Sequence, residues 1–596
     1  MQNESLIEEL KERLHSLHCG DQKQLDVIFS QSKKLLVEAP AGYGKTKTMI
    51  SKIAYLLASN QVADPKKILA LTFGVNAAYK VKKDVSEQLP KLMQIKGLNP
   101  LSLNEKLFIS NYHGFCRHIL KLYGYLLHPN LKNIDALISV DDSKPKVLTS
   151  DFNVPSDAAF FFSDYNNAVK TNNRGHLNKY TENYVNGITE IFLPKNFIPY
   201  NAIIILVLQL LAKYPEILNF YQKYFPVIIV DEFQDTNVLS WTLLKQLITE
   251  ETLLILMGDA LQRIYGFIGA IPDLIIEAQE KYSMDIIKLE KNYRFKDNLQ
   301  MLLIDKNIRL NAENPIKPNI INDVIIELCY KENQQEEADA VVEKIKCITE
   351  KSISNNKIAI LINKRGNNVN KIIEAISQAN ISYFYGLFKE EDSDYLNFHN
   401  KCASYFMQLL AQDFSPSKLS LNKFYSYIET VFISHKDKPT VMSLLELLNI
   451  FFKRIVNDYS WLSIEDKIML IKDTFEDKTL KQNMEYVDQN IIMSTIHGAK
   501  GLEWDYVFIP DMEMYSIPSW NLCDPCKYKR NCNFILNESN MKKFLEELSV
   551  FYVGVTRARK QVFFSASKSS LDKYGNATNS NISCFLKLPG FTLNWD

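Results

Sequence analysis

Along two stretches of the chain, about 35–119 and about 200–296, short apolar runs alternate with segments of helical period. Residues 35–39, 68–72, 227–231 and 253–257 are short, largely apolar runs, as expected of parallel strands covered by helices on both faces. A second set at 325–330, 357–362, 491–494, 506–509 and 562–565 has the same character. The pattern predicts an α/β protein with two sheets, each interrupted by a mainly helical stretch, at 120–199 and 386–487. The expected division is 1–119 with 200–296 around the first insertion, and 297–385 with 488–596 around the second. Phe160, Phe161, Phe162, Tyr165, Tyr180 and Tyr184 read as the aromatic core of the first insertion rather than as a base-stacking surface. Leu6, Ile7, Leu10 and Leu14 have helical spacing in a mixed-charge N-terminal segment, unlike a basic region followed by an apolar signal core.

Composition narrows the class. The 596 residues are 46% hydrophobic and 23% charged, which excludes a disordered chain, a collagen-like fibre and a disulfide-dense secreted module. Lys and Arg number 69, as do Asp and Glu, so any polyanion must be held by a local groove and not by net charge. The longest aliphatic stretch, 202–212, is far short of a membrane span, and an odd number of Cys, nine, fits a reducing compartment. A cytoplasmic protein with no membrane partner is expected.

Residues 35–46 read L-L-V-E-A-P-A-G-Y-G-K-T, a strand and small-residue loop that open a helix. The loop Ala39, Pro40, Ala41, Gly42, Tyr43, Gly44, Lys45, Thr46 has phosphate-binding spacing, with Ala39 where the first Gly is usual. Backbone N–H groups at Gly42 and Gly44 can approach phosphates, helped by the helix N-terminus. Lys45 is placed to neutralise the β- and γ-phosphates, and the Thr46 hydroxyl to hold Mg²⁺. Residues 227–237 read V-I-I-V-D-E-F-Q-D-T-N. Adjacent carboxylates ending a buried strand are costly unless they meet a cation or move a proton. Asp231 is placed for Mg²⁺ and Glu232 for the attacking water. Together these motifs indicate hydrolysis of a nucleoside triphosphate such as ATP.

From these residues outward the sequence resembles the UvrD/Rep family of superfamily 1 helicases. D-E-F-Q-D-T-N matches that family's second motif, and Gln24 lies 21 residues before Lys45, where the family has an adenine-reading glutamine. T-F-x-x-x-A-A follows at 72–78, Tyr112-His113-Gly114 after it, and G-D-x-x-Q-x-I-Y-G-F-x-G-A at 258–270. L-E-K-N-Y-R at 289–294, T-I-H-G-A-K-G-L-E-W at 495–504 and Y-V-G-V-T-R-A-R at 552–559 complete the family order. The resemblance implies two RecA-like parallel-sheet motor domains, each carrying a helical insertion. It implies that Gln24 reads adenine, Tyr293 stacks on it and Glu503 accepts from the ribose. Gln262 would sense the γ-phosphate, and Arg294 and Arg557 would act as arginine fingers on it. Phe73, Tyr112, Tyr265 and Phe267 would stack on bases of single-stranded DNA, with Thr72, His113, Thr495 and His497 at its phosphates. ATP would draw the two sheets together, and the release on hydrolysis would step the protein 3′→5′ along the strand toward a junction with duplex.

Two features depart from the family pattern. Ile268 stands where Arg is usual, and the second insertion is short, which leaves fewer contacts for strand separation than for translocation. Cys523, Cys526 and Cys532 are clustered in L-C-D-P-C-K-Y-K-R-N-C, which suits Zn²⁺ or the three-Cys part of an iron–sulfur site, or is a loop of reduced thiols. Cys584 or an exposed His is the candidate fourth ligand. The expected function is an ATP-dependent 3′→5′ DNA helicase in repair or recombination. A helicase subunit of an anti-phage system working with a separate nuclease, and an ATP-switched DNA clamp, are the alternatives.

Overall fold

The apolar runs become the strands of two parallel sheets in the computed structural model, which describes residues 2–93, 105–262, 273–350, 356–389, 392–519, 522, 536–571 and 576–595. The chain divides into two units, Met1–Lys291 and Asn292–Asp596.

In the first unit the strands are β1 (Lys34–Glu38), β2 (Ile68–Thr72), β3 (Leu107–Asn111), β4 (Ile138–Val140), β5 (Phe197–Pro199), β6 (Val227–Val230), β7 (Leu253–Gly258) and β8 (Asp285–Lys288). Six of them form one sheet in the order β3-β2-β6-β7-β1-β8, with every neighbouring pair parallel. β4 and β5 pair with each other away from it. Successive residues point to opposite faces, so Leu35 and Val37 enter one core while Leu36 enters another. Every position of β2 and β6 is buried, which is why both read as unbroken apolar runs. Each fully buried Leu or Ile contributes roughly 1.5–3 kcal/mol.

The stretch 120–199 is largely helical, and its core is continuous with one face of the sheet. Phe162, Tyr165 and Tyr184 are buried in the same cluster as Leu69, Leu71 and Ile228, while Phe160 is exposed. The apolar helix Tyr200–Lys213 passes through this core and meets Pro215–Tyr224 at a bend of 106°. Among the described residues no single helix is long and apolar enough to cross a membrane.

The second unit has β9 (Val324–Asn333), β10 (Ile358–Ile362), β11 (Phe384–Gly386), β12 (Ile491–Thr495), β13 (Trp504–Ile509), β14 (Ala558–Leu571), β15 (Ala577–Asn579) and β16 (Phe591–Trp595). The order is β11-β12-β10-β13-β14-β9-β16, all parallel, with β15 antiparallel to β14. Between β11 and β12 the chain is helical, including Ser393–Leu410, Lys418–Val431, Pro439–Asn457 and Ile464–Glu476. Aromatic rings hold these helices together: Phe424 stacks on Phe475 at 5.7 Å and meets Phe452 edge-on at 5.2 Å. The architecture is α/β, with two RecA-like parallel-sheet units that each carry a helical insertion.

Candidate nucleotide and nucleic-acid site

β1 ends at Glu38 and the helix Lys45–Ala58 begins at Lys45, so the phosphate loop is the connection between a buried strand and a helix N-terminus. Gly42 and Gly44 take φ of +83° and +81°, the left-handed region that side chains disfavour. Ala39 is 1% exposed and donates its N–H to the carbonyl of Gly258 at 2.9 Å, which ties the loop to the end of β7. A small residue suffices at that position.

Lys45 reaches from the first turn of its helix to the end of β6. Its ammonium lies 3.0 Å from Asp231 Oδ1 and also bonds Glu232. Burial opposes the charged lysine, but Asp231 and Glu232 outweigh it and hold the ammonium above its ordinary pKa. Burial also pushes the Asp231 carboxyl up, against the pull of Lys45, with the Glu232 charge adding to the rise. Two carboxylates gathered on one ammonium beside a phosphate loop are a setting that favours a divalent cation. Asp231 and the Thr46 hydroxyl therefore suit Mg²⁺ beside phosphates held by the loop, with Glu232 left for the attacking water.

Gln234 links these acids to the next motif. Its Nε2 donates to Glu232, and its Oε1 accepts the N–H of Asp259 at 3.1 Å. Asp259 Oδ2 in turn accepts from Gln262 Nε2 at 2.9 Å. Lys45, Glu232, Gln234, Asp259 and Gln262 thus form one bonded chain. Gln24 is 2% exposed, donates to the carbonyl of Tyr43 at 3.0 Å and bonds His18.

In the second unit two of the expected nucleotide contacts, Arg294 and Glu503, are bonded to each other. Arg294 donates to Glu503 and, at 2.5 Å, to the carbonyl of Thr556. Arg559 reaches Glu503 Oε2 at 3.2 Å. Burial alone would raise the Glu503 carboxyl, but Arg294, Arg557 and Arg559 hold it below its ordinary range. Arg557 is 3% exposed and donates to the carbonyls of Val553 at 3.0 Å and Leu502 at 3.2 Å. Tyr293 is half-buried.

Comparison with known proteins decides what this site belongs to. Residues 21–283 match the UvrD/REP helicase N-terminal domain, and residues 390–569 match the UvrD-like helicase C-terminal domain. The chain belongs to the UvrD/Rep family of DNA helicases. Members hydrolyse ATP, so this chain is an ATP-dependent helicase. It is 25% identical to a probable DNA helicase II homologue of Rickettsia felis, over 93% of each chain. It is 26% identical to the ATP-dependent DNA helicase Rep of Buchnera aphidicola subsp. Acyrthosiphon pisum, covering 94% of this chain and 97% of that one. The ATP-dependent DNA helicase PcrA of Staphylococcus epidermidis is 24% identical over 95% of this chain and 85% of its own.

The residues that the UvrD/Rep resemblance assigns to DNA have unequal settings. Phe73, Thr495 and His497 are half-buried, and Thr495 Oγ1 accepts the Gly498 N–H at 3.0 Å. Thr72 is 1% exposed and donates to the carbonyl of Gly74 at 3.0 Å, which shapes the turn under Phe73. Tyr112 corrects the expectation of a stacking platform. It is 2% exposed, packs in the core with Phe115 and lies 3.5 Å from the Thr236 hydroxyl, so its face is not offered to a base. His113 stacks on Tyr200 at 3.6 Å, and burial with the nearby Arg117 charge lowers its pKa to about 3, leaving it neutral. Tyr265, Phe267, Ile268, Cys523, Cys526 and Cys532 lie outside the described residues. Cys584 is buried.

Gln234 and His18 are the residues that sequence reasoning missed. Gln234 stands inside a motif already recognised, and its place between two acids was the available signal. A single His in a helix–helix turn carries none.

Proposed function

We propose that this UvrD/Rep helicase moves 3′→5′ on single-stranded DNA and separates strands where single-stranded DNA meets duplex, in repair or recombination in the cytoplasm. The bonded chain from Lys45 to Gln262 supports this reading, because it joins the hydrolytic acids to the residue that, by the family resemblance, would sense the γ-phosphate and link hydrolysis to the DNA groove. ATP would draw Lys45 from the carboxylates to its β- and γ-phosphates, which frees Glu232 to take a proton from water. The water oxygen bonds the γ-phosphorus, the bond to the β-phosphate oxygen breaks, and ADP leaves. Mg²⁺ at Thr46 and Asp231 would neutralise charge on the phosphates. Gln24 and Tyr293 would hold adenine and Glu503 the ribose. Arg294 and Arg557 would stabilise the transition state once released from their present acceptors. Phe73, Tyr265 and Phe267 would stack on bases, with Thr495 and His497 at the phosphates.

Division of labour would follow 1–119 with 200–296 for ATP, and 297–385 with 488–596 for the second motor domain. A separate nuclease or repair protein would act on the unwound strands. Cys523, Cys526 and Cys532 would supply thiolates to Zn²⁺ or an iron–sulfur cluster, which metal analysis and an absorption spectrum of anaerobically purified protein would detect.

The decisive experiment pairs ATP hydrolysis with unwinding. Single-stranded DNA is expected to raise hydrolysis by an order of magnitude or more, and a 3′-tailed duplex to be unwound in preference to a 5′-tailed one. Hydrolysis indifferent to DNA would defeat the motor reading. DNA-stimulated hydrolysis without unwinding would favour the clamp.

A further inference from the structure

The helix Gln2–Leu17 and the helix Gln22–Phe29 are joined by a short turn that carries His18. Asp21 caps the second helix by accepting the Gln24 N–H at 3.2 Å. His18 is 1% exposed and has two partners: Nδ1 meets Gln24 Oε1, and Nε2 lies 2.8 Å from the hydroxyl of Ser51, itself fully buried on the helix that follows the phosphate loop. Lys47 adds a second tie by donating to the carbonyl of Leu17 at 2.7 Å.

Hydrogen-bond chemistry fixes the direction of this chain. The carbonyl of Tyr43 only accepts, so Gln24 turns Nε2 toward it and Oε1 toward His18. Oε1 only accepts as well, so His18 Nδ1 carries a proton. Burial, chiefly, with the Lys47 charge, lowers the imidazole pKa, and in the neutral ring Nε2 accepts from the Ser51 hydroxyl. The order is therefore Ser51 to His18 to Gln24 to Tyr43, each donating to the next. It joins the phosphate loop, at Tyr43, to the helix behind it, at Ser51, through the proposed base reader.

A carboxamide has two N–H groups and two acceptor lone pairs. With one of each committed, Gln24 keeps one donor and one acceptor. That remainder complements the N7 acceptor and N6 amino donor of adenine, whereas guanine presents N7 and O6, both acceptors. A rotation that exchanged Oε1 and Nε2 would set oxygen against the Tyr43 carbonyl and force His18 into its other tautomer, with Ser51 turned from donor to acceptor. We infer that His18 is a positioning residue for base selection, which pins the Gln24 carboxamide in the orientation that accepts adenine and rejects guanine. This rests on the proposal that Gln24 reads the base.

The test is steady-state hydrolysis of ATP and GTP by the full chain, with saturating single-stranded DNA, for the parent and four variants. His18→Leu is expected to raise KM for ATP on the order of 3- to 10-fold, with kcat for ATP and KM for GTP little changed. His18→Asn retains a donor near the Nδ1 position and is expected to recover most of the ATP preference. His18→Gln carries its donor farther out, toward Ser51, and is expected not to recover it. Gln24→Ala separates the two levels. If it erases the ATP preference while His18→Leu leaves that preference intact, the positioning role is overturned and the base reader stands. If Gln24→Ala also keeps the preference, base reading by Gln24 falls, and the inference with it. Should His18→Leu fail to fold, equal ATP-to-GTP ratios for His18→Asn and His18→Gln would overturn the inference, and unequal ratios in the stated order support it.

Discussion

Asp231 with Glu232 in the first unit, and Glu337 with Asp511 and Glu513 in the second, are both gathered groups of acids, and they are neutralised in different ways. The first pair holds the ammonium of Lys45, which a phosphate loop delivers from the adjacent helix. The second group has its ligand oxygens within 4.8 Å of one another, and its hydrogen bonds come from neutral donors. Glu337 accepts from the Ser565 hydroxyl at 2.8 Å and the Asp511 N–H at 3.0 Å, and Glu513 accepts from the Ser567 hydroxyl at 2.7 Å. Lys364, whose charge favours the ionised Asp511, spends its ammonium on the carbonyls of Tyr515 and Ser519. Burial lifts all three acids. Carboxylates brought together in a fold do not mark catalysis by themselves. A cation that a substrate can draw away does, because its departure exposes a base at the moment the substrate arrives. Among the described residues the second group shows no such partner to release, and burial holds its acids toward the protonated form.

The largest test of this contrast is Glu232→Gln. It removes the base, and its single amide oxygen can accept from either Gln234 or Lys45 but not both. The kcat for DNA-stimulated hydrolysis is therefore expected to drop on the order of 10²- to 10⁴-fold, with ATP binding, in which Lys45 moves to the phosphates, retained. A fall of comparable size in Glu337→Gln, measured in the same assay, would erase the distinction. Gln234→Ala comes next. It leaves Glu232 and Lys45 in place but cuts their bonded path to Asp259 and Gln262, so kcat is expected to fall roughly 10-fold. The ratio of DNA-stimulated to basal hydrolysis should shrink with it. An unchanged ratio would mean that Gln234 only packs.

Sequence pattern carried much of this and failed in identifiable places. The central strands were legible because burial on both faces forces unbroken apolar runs. The edge strands were not: β8 reads D-I-I-K with three of its four residues exposed, and short β11 and terminal β16 also stand at sheet edges. The phosphate loop and the D-E pair could be found by spacing, since phosphate geometry fixes the interval from strand to helix. Spacing says nothing about which way a ring points. Tyr112 opens a helix capped by Asn111, and the same Y-H-G string serves a ring turned to solvent or, as here, to the core. Nor could spacing show that Arg294 and Glu503, read as separate ligands of one nucleotide, are bonded to each other.

The smallest expected effect tests the second group alone. Glu337 is pushed up to about 8 and Glu513 to about 7, from an ordinary 4.5, mainly by burial. The folded chain binds these protons more tightly than the unfolded chain does. Their contribution to stability is therefore whole below about pH 4.5 and is lost as pH rises through about 7 to 8. Glu337→Gln stays neutral at every pH, so it removes the part of this loss that Glu337 carries. The amide also sets an N–H near the Asn368 Nδ2, now 3.4 Å from Glu337 Oε2, a cost that does not vary with pH. The slope is consequently the informative quantity, and the offset is not. The Tm of the variant minus that of the parent is expected to climb by roughly 3 °C or more between about pH 5.5 and about pH 8.5. A flat difference would mean that Glu337 is ionised throughout and neutralised by a cation. Millimolar Mn²⁺ or Ca²⁺ would then raise the Tm of the nucleotide-free parent and not that of the variant, and the two acid groups would differ only in which cation they hold.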